Sequence, residues 1–232
     1  MTHSAASSVR ARARAEMTDE IKQIARLHLA VNGGNLSLRA VARDLGVVSS
    51  AVYRYFASRD ELLTALIIDG YDSLGTAAEQ AEASIARRDL NGRWYALGRG
   101  IRAWARAHPH EYALLYGSPV PGYIAPQDTI GPASRPVLLI GAILRDAARR
   151  GTAGSARGTR LPAAVRADLE RLQSQPLFEG VPLALLARGM TAWAQLFGTL
   201  SFELFGRLTN AVEDFDAYFD YQLRAMAGYV GL

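Results

Sequence analysis

Three observations point to an all-α fold for this 232-residue chain. Apolar residues recur three and four apart along nearly its whole length, and no stretch alternates convincingly at period two. Glycine, proline and short polar runs interrupt the periodic stretches. Half of the residues are apolar, enough for at least one good core.

A first helix is expected from about Ala15 to Val31, with Ile21, Ile24, Leu27 and Val31 on one stripe and "NGG" at 32–34 as its stop. Ser37 caps a second helix whose inner face is Leu38, Val41, Ala42 and Leu45. Gly46 makes a tight turn into a third helix from about Ser49 to Phe56. Three compact helices with a glycine turn before the third form a helix-turn-helix pattern. A fourth helix from Arg59 or Asp60 to Glu82 turns Leu62, Leu63, Leu66, Ile67, Tyr71 and Leu74 inward. After "ARRDLNG", a fifth spans Arg93 to Ala107, with Trp94, Leu97, Ile101 and Trp104 on its apolar side. Pro109 opens a sixth through Leu115. The next 20 residues, 117–136, hold five prolines and three glycines and read as irregular. A seventh helix is expected over Val137–Arg150, then a mobile glycine-rich run at 151–162. Helices near Pro162–Gln173, Pro182–Arg207 and Val212–Val230 complete the chain. The expected division is a flexible basic arm (1–14), a DNA-binding domain (15–59) and a larger helical domain (60–232).

Charge is unevenly spread. Residues 1–59 carry nine basic groups against Glu16, Asp19, Glu20 and Asp44, whereas acids slightly outnumber bases in the remainder. The excess positive charge therefore lies where a polyanion would dock. On the third helix, Val48, Val52 and Phe56 fall on one side at about 100° per residue. Ser50 and Arg54 fall nearly opposite, flanked by Ala51 and Tyr53, with Ser49 and Tyr55 at the margins. A short helix with that outer face suits a major groove, where arginine pairs with guanine and hydroxyls bond phosphates.

The stretch "LSLRAVARDLGVVSSAVYRYFASRDELLTAL" resembles the DNA-binding domain of TetR-family transcriptional regulators, over about Glu16 to Leu66. The resemblance implies that Tyr53 and Tyr55 contact phosphates, that Arg59 takes the place of a backbone-binding lysine, and that Arg39 meets phosphate from the second helix. It puts Ser49, Ser50, Ala51 and Arg54 where base readers sit. Val48 stands where a capping serine is usual, which leaves Ser49 as the alternative cap. More loosely, "WARAHPHEYALLYGSPVPGYIAP" and "TAWAQLFGTLSFELFG" resemble the C-terminal domain of a TetR subgroup named for a tryptophan-histidine-glycine motif. Trp193 and Gly198 remain, while Phe197 occupies the histidine position and implies a more apolar cavity.

Catalysis and metal binding find no support in the sequence. The absence of cysteine excludes disulfides and thiolate sites. His108 and His110 lack a third ligand at helical spacing, and no nucleophile elbow or phosphate-binding glycine loop occurs. No cofactor is expected. No uncharged apolar run reaches 18 residues and no secretory signal opens the chain, so a cytoplasmic protein is expected. Trp104, Tyr112, Tyr116, Tyr123, Met190, Trp193 and Phe197 are the candidate lining of an apolar effector pocket, an inducer-binding domain being what the resemblance implies; plain core is the competing reading. The last two helices carry surplus apolar residues. Leu200, Leu204, Phe215, Phe219, Leu223 and Met226 are therefore the expected homodimer interface, unless the helices fold back on their own subunit. The function expected is a ligand-responsive, dimeric repressor of a palindromic DNA operator. The alternative is a small-molecule-binding or enzymatic helical domain whose N-terminal helices make protein contacts.

Overall fold

The computed structural model describes residues 2–32, 36–151 and 160–232. Among the described residues are ten α-helices: α1 (Thr2–Asn32), α2 (Leu38–Asp44), α3 (Ser49–Tyr53), α4 (Arg59–Ala83), α5 (Leu90–Ala107), α6 (Pro109–Tyr116), α7 (Ile130–Arg150), α8 (Ala163–Gln173), α9 (Leu183–Leu204) and α10 (Phe215–Val230). A single 3-10 turn covers Gln127–Thr129, and no strand occurs among the described residues. The fold is all-α, as expected.

Several boundaries differ from the sequence reading, each for a local reason. Residues 1–14 were expected as a flexible arm, yet α1 reaches back to Thr2. The segment has no glycine or proline and is rich in alanine and arginine, the strongest helix formers. α7 starts at Ile130, inside the stretch read as irregular. Pro132 falls in its first turn, where no N–H is needed, and Pro136 forgoes one backbone bond in the interior. α5 starts at Leu90 because Asp89 caps it, accepting from the Gly92 N–H at 2.8 Å. Gly33 and Gly34 of the "NGG" stop and most of the glycine-rich run at 151–162 lie outside the described residues.

The chain divides into two compact units, residues 1–70 with 110–130 and residues 71–109 with 131–232. In the first, Ile21, Ala25 and Leu29 of α1, Leu38, Val41 and Ala42 of α2, Val52 of α3 and Leu62, Leu63 and Leu66 of α4 form one core. α1 buries the row Met17, Ile21, Ala25, Leu29, and the expected stripe members Leu27 and Val31 are exposed. Leu114, Val120 and Tyr123 pack on the same core, so α6 and the loop after it belong with the helix-turn-helix. Ion pairs support this packing: Lys22 and Arg26 meet Asp69 at 3.0 and 2.8 Å.

In the second unit, α5, α9 and α10 pack closely. The Trp94 indole N–H donates to the Leu223 carbonyl at 3.1 Å, and a Cβ on Gly98 would come within 2.4 Å of the Leu223 side chain. Arg102 forms a bidentate pair with Glu203 and also meets Asp216 at 2.7 Å. Arg135 of α7 reaches across α4 to Asp72 at 2.9 Å, Thr76 at 3.0 Å and Glu79 at 2.7 Å. It can lie there because Gly75 has no Cβ; one would sit 2.6 Å from its Nε.

Candidate nucleic-acid interface and apolar cleft

Gly46 has φ 71°, a conformation that glycine adopts without strain, and it turns α2 into α3. α2 is capped by Ser37, whose hydroxyl accepts from the Ala40 N–H. The first residue of α3 is Ser49, and the position before it, Val48, is extended and makes no side-chain cap. Ser49 thus lies inside the helix and does not cap it. Val48 was expected to pack inward with Val52 and Phe56, but it is 71% exposed. The helical count does not apply to a residue outside the helix, and partly buried Val47 packs on the core instead. Val52 and Phe56 are buried as expected.

With Val52 turned inward, the outer side of α3 exposes Ser50, Tyr53 and Arg54, with Ser49 and Ala51 half-buried beside them. Arg39 of α2 is also exposed. Tyr55 is half-buried against the core, and the Arg14 guanidinium lies over its ring at 5.1 Å. Arg14 also donates to the Arg54 carbonyl at 3.4 Å, a contact the sequence reading missed. Arg59 is half-buried and paired with Asp60 at 3.4 Å. His28 of α1 meets Asp44 of α2 at 2.6 Å, and this hydrogen bond holds the Asp44 carboxyl below its usual range.

The seven candidate pocket residues are divided between the two units. Tyr112, Tyr116 and Tyr123 fall in the first unit, where the Tyr123 hydroxyl lies 2.9 Å from that of Thr64. Trp104 is buried in the second unit, donates its indole N–H to Ser73 at 2.8 Å and stacks on His108. Phe197 is buried, with Trp193 edge-on to its ring. The second unit does contain an open apolar cleft of about 260 Å³ between α7, α8, α9 and the Gln175–Phe178 turn. Met190 and Trp193 line it, together with Leu138, Leu144, Phe178 and Leu186; Ser134 and Gln175 supply its polar groups. Gly141 shapes the wall, since a Cβ there would come within 2.6 Å of the Phe178 ring. On the α7 side every lining residue but Ser134 lies in the helix expected from the sequence, where apolar residues read equally well as plain core.

The expected dimer residues need a correction. Leu200, Phe219, Leu223 and Met226 are all 1% exposed or less, consumed by packing within the chain. Only Leu204 and Phe215 are partly exposed. The apolar surface that α9 and α10 leave open belongs to other faces: Met190, Trp193 and Phe202 on α9, Phe205 at its C-cap, Tyr221 and Tyr229 on α10.

Among the described residues no group of three or more His, Cys, Asp or Glu could hold a metal ion. Among the same residues no helix is long and apolar enough to cross a membrane. A tri-helical module with a glycine turn and a polar third helix, capped here by Arg54, defines the class of helix-turn-helix DNA-binding proteins. Two family models match the chain: "Bacterial regulatory proteins, tetR family" over residues 22–66, and "Tetracyclin repressor-like, C-terminal domain" over residues 94–226. An HTH-type transcriptional regulator of Mycobacterium tuberculosis is 39% identical over 220 residues, covering 92% of each chain. The crystal structure of SCO4313, a candidate regulatory protein, is 36% identical, covers 94% of this chain and 98% of its own, and superposes with a TM-score of 0.72. The TetR family regulator PfmR from Thermus thermophilus shares the fold at 19% identity, a TM-score of 0.56 and coverage of 88% and 97%. The chain belongs to the TetR family of transcriptional regulators, which are DNA-binding proteins and not enzymes.

Proposed function

We propose that the chain is a ligand-responsive repressor that binds a near-palindromic operator as a homodimer in the cytoplasm and is released by a small apolar or aromatic molecule. The observation that carries the reading is the outer side of α3: Ser50, Tyr53 and Arg54 are exposed while Val52 on the opposite side is buried. In this reading Arg54 reads a base edge with Ser49, Ser50 and Ala51 close to the groove, while Arg39, Tyr53, Tyr55 and Arg59 hold the phosphates.

The effector would take the apolar cleft, where Met190 and Trp193 offer an aromatic and thioether surface and Gln175 and Ser134 can orient one polar group. The second copy would take the open faces of α9 and α10 away from the cleft, at Phe202 and Tyr221. Two glycines support that occupant. A Cβ on Gly198 or on Gly228 would meet nothing within 4 Å, so nothing inside the chain requires glycine there. Glycine within a helix costs about 1 kcal/mol relative to alanine, and close approach of another helix gives it a use. Because α4 contributes to both units, an effector that binds one of its arrangements better would shift the reading helices and lower operator affinity.

The test is a gel-shift titration on a duplex that the full chain selects from a random pool. Arg54→Ala is expected to lose about 1–3 kcal/mol, roughly 5- to 150-fold, and to relax the preference at one base position. Unchanged affinity and preference would remove the groove assignment. Failure of the unmodified chain to select any sequence would favour a protein-binding role for the N-terminal helices.

A further inference from the structure

The inner stripe of α1 changes chemistry part of the way along. Over its C-terminal half it reads Leu29, Ala25, Ile21 and Met17, which pack into the core of the first unit. Steps of three and four residues return to one helix face, and by that count the stripe continues toward the N-terminus as Arg14 and then Arg10. Arg14 lies where the stripe leaves the core: its Nη2 donates to the Arg54 carbonyl at the end of α3, and its guanidinium covers the Tyr55 ring. Arg10 sits about 6 Å further along the axis, at ~1.5 Å per residue, and is exposed. Among the described residues no acid lies within salt-bridge distance of Arg10, Arg12 or Arg14, and residues 1–8, 33–35 and 152–159 include no acid.

A stripe that turns from apolar to arginine as it passes the reading helix faces something other than protein. We propose that residues 9–14 of α1 form a second DNA-contacting element, in which Arg10 and Arg14 each neutralise a backbone phosphate flanking the bases read by α3. The guanidinium of Arg14 has five N–H donors, so the Arg54 carbonyl leaves most of them for a phosphate. Phosphates recur about every 3.4 Å of rise along a strand, so the ~6 Å between the two arginines spans roughly two of them. Arg12 lies about 200° around the helix from both and takes no part. The inference rests on the operator-binding reading and extends its footprint outward by one helical turn of protein.

The experiment uses the full chain on its selected duplex, with and without flanking sequence, over a salt series. Each phosphate contact adds about 0.9 to the slope of log K against log salt. Arg10→Ala is expected to lower that slope by about 0.9 per bound protomer on the long duplex, with sequence preference intact. On the duplex without flanks its slope is expected to match the unmodified chain. Arg12→Ala, which removes the same charge from the other side, is expected to leave the slope unchanged, and circular dichroism checks that both variants keep their helices. On the long duplex, equal slopes for Arg10→Ala and the unmodified chain, or equal losses in both variants, would overturn the assignment. If Arg54→Ala abolishes preference while Arg10→Ala is neutral, the reader stands and this element alone falls; if the unmodified chain selects no duplex, both fall.

Discussion

At the start of α5 a guanidinium is removed from water altogether. Arg93 is 0% exposed, with its Nε donating to Glu82 at the end of α4 and its Nη1 donating to Asp146 of α7 at 2.7 Å. Three helices of the second unit meet at this one cation. Removing a partner from a buried pair leaves an uncompensated charge, which costs about 3–5 kcal/mol. Glu82→Leu is expected near the low end, because Asp146 still holds the other side, and the urea midpoint would report it. The double variant Glu82→Leu, Arg93→Met is expected to recover only part of the loss, since it removes the buried cation but leaves Asp146 with Arg87 alone, at 3.1 Å. None of this was legible in the sequence: Glu82, Arg93 and Asp146 are separated by elements whose pairing only the fold reveals. The outer side of α3 was legible, because Ser50 and Arg54 sit four apart opposite Val52, and a period of 3.6 sorts such residues without tertiary information. Val48 was misassigned by extending that period one residue past the helix end.

Periodicity identified the helices, and it failed where polar chemistry or proline decides a boundary. Pro132 and Pro136 concealed the first turns of α7, and Asp89 moved the start of α5 forward by capping it. The hidden part of α7 carries Arg135, whose bonds to Asp72, Thr76 and Glu79 tie it to α4. The Arg135 hydrogen bonds hold the Glu79 carboxyl below its ordinary value. A depressed carboxylate contributes stability above its unfolded pKa of about 4.3 and loses it as pH falls through the folded value. Asp44, Asp216 and Asp220 are depressed in the same direction, by His28, Arg102 and Arg99. The denaturant midpoint is therefore expected to hold between pH 5 and 7 and to fall below about pH 4. Glu79→Gln is expected to lower the midpoint at pH 7 and to flatten the acid limb; a variant with an unchanged acid limb would show that the α4–α7 tie is not coupled to protonation.

For the whole molecule, periodicity and charge announced a helical protein with a basic N-terminal quarter, whereas four of the six residues expected at a dimer face are buried inside the chain and, of the expected pocket residues, Met190 and Trp193 line the apolar cleft. The reason is that aromatic and branched residues serve core and interface alike, and only burial separates Leu200, Phe219, Leu223 and Met226 from Phe202, Tyr221 and Tyr229. The dimer reading now makes a prediction of opposite signs. Gly198→Leu places a side chain in the seam, and light scattering is expected to fall from twice the 25.1 kDa chain mass to that of one chain. Were the chain monomeric, the unmodified protein would already show one mass, and Gly198→Ala would stabilise it by about 1 kcal/mol. The cations of the first unit have a different consequence, one of regulation by the cell. The chain has a single lysine, and every other basic side chain except the histidines is an arginine. Arginine stays charged at any physiological pH and is not a substrate for acetylation. Lysine-directed acetyl transfer can therefore reach only Lys22, whose Nζ lies 3.0 Å from Asp69 on α4. Such a modification would loosen the seating of α1 and leave the arginines around α3 charged.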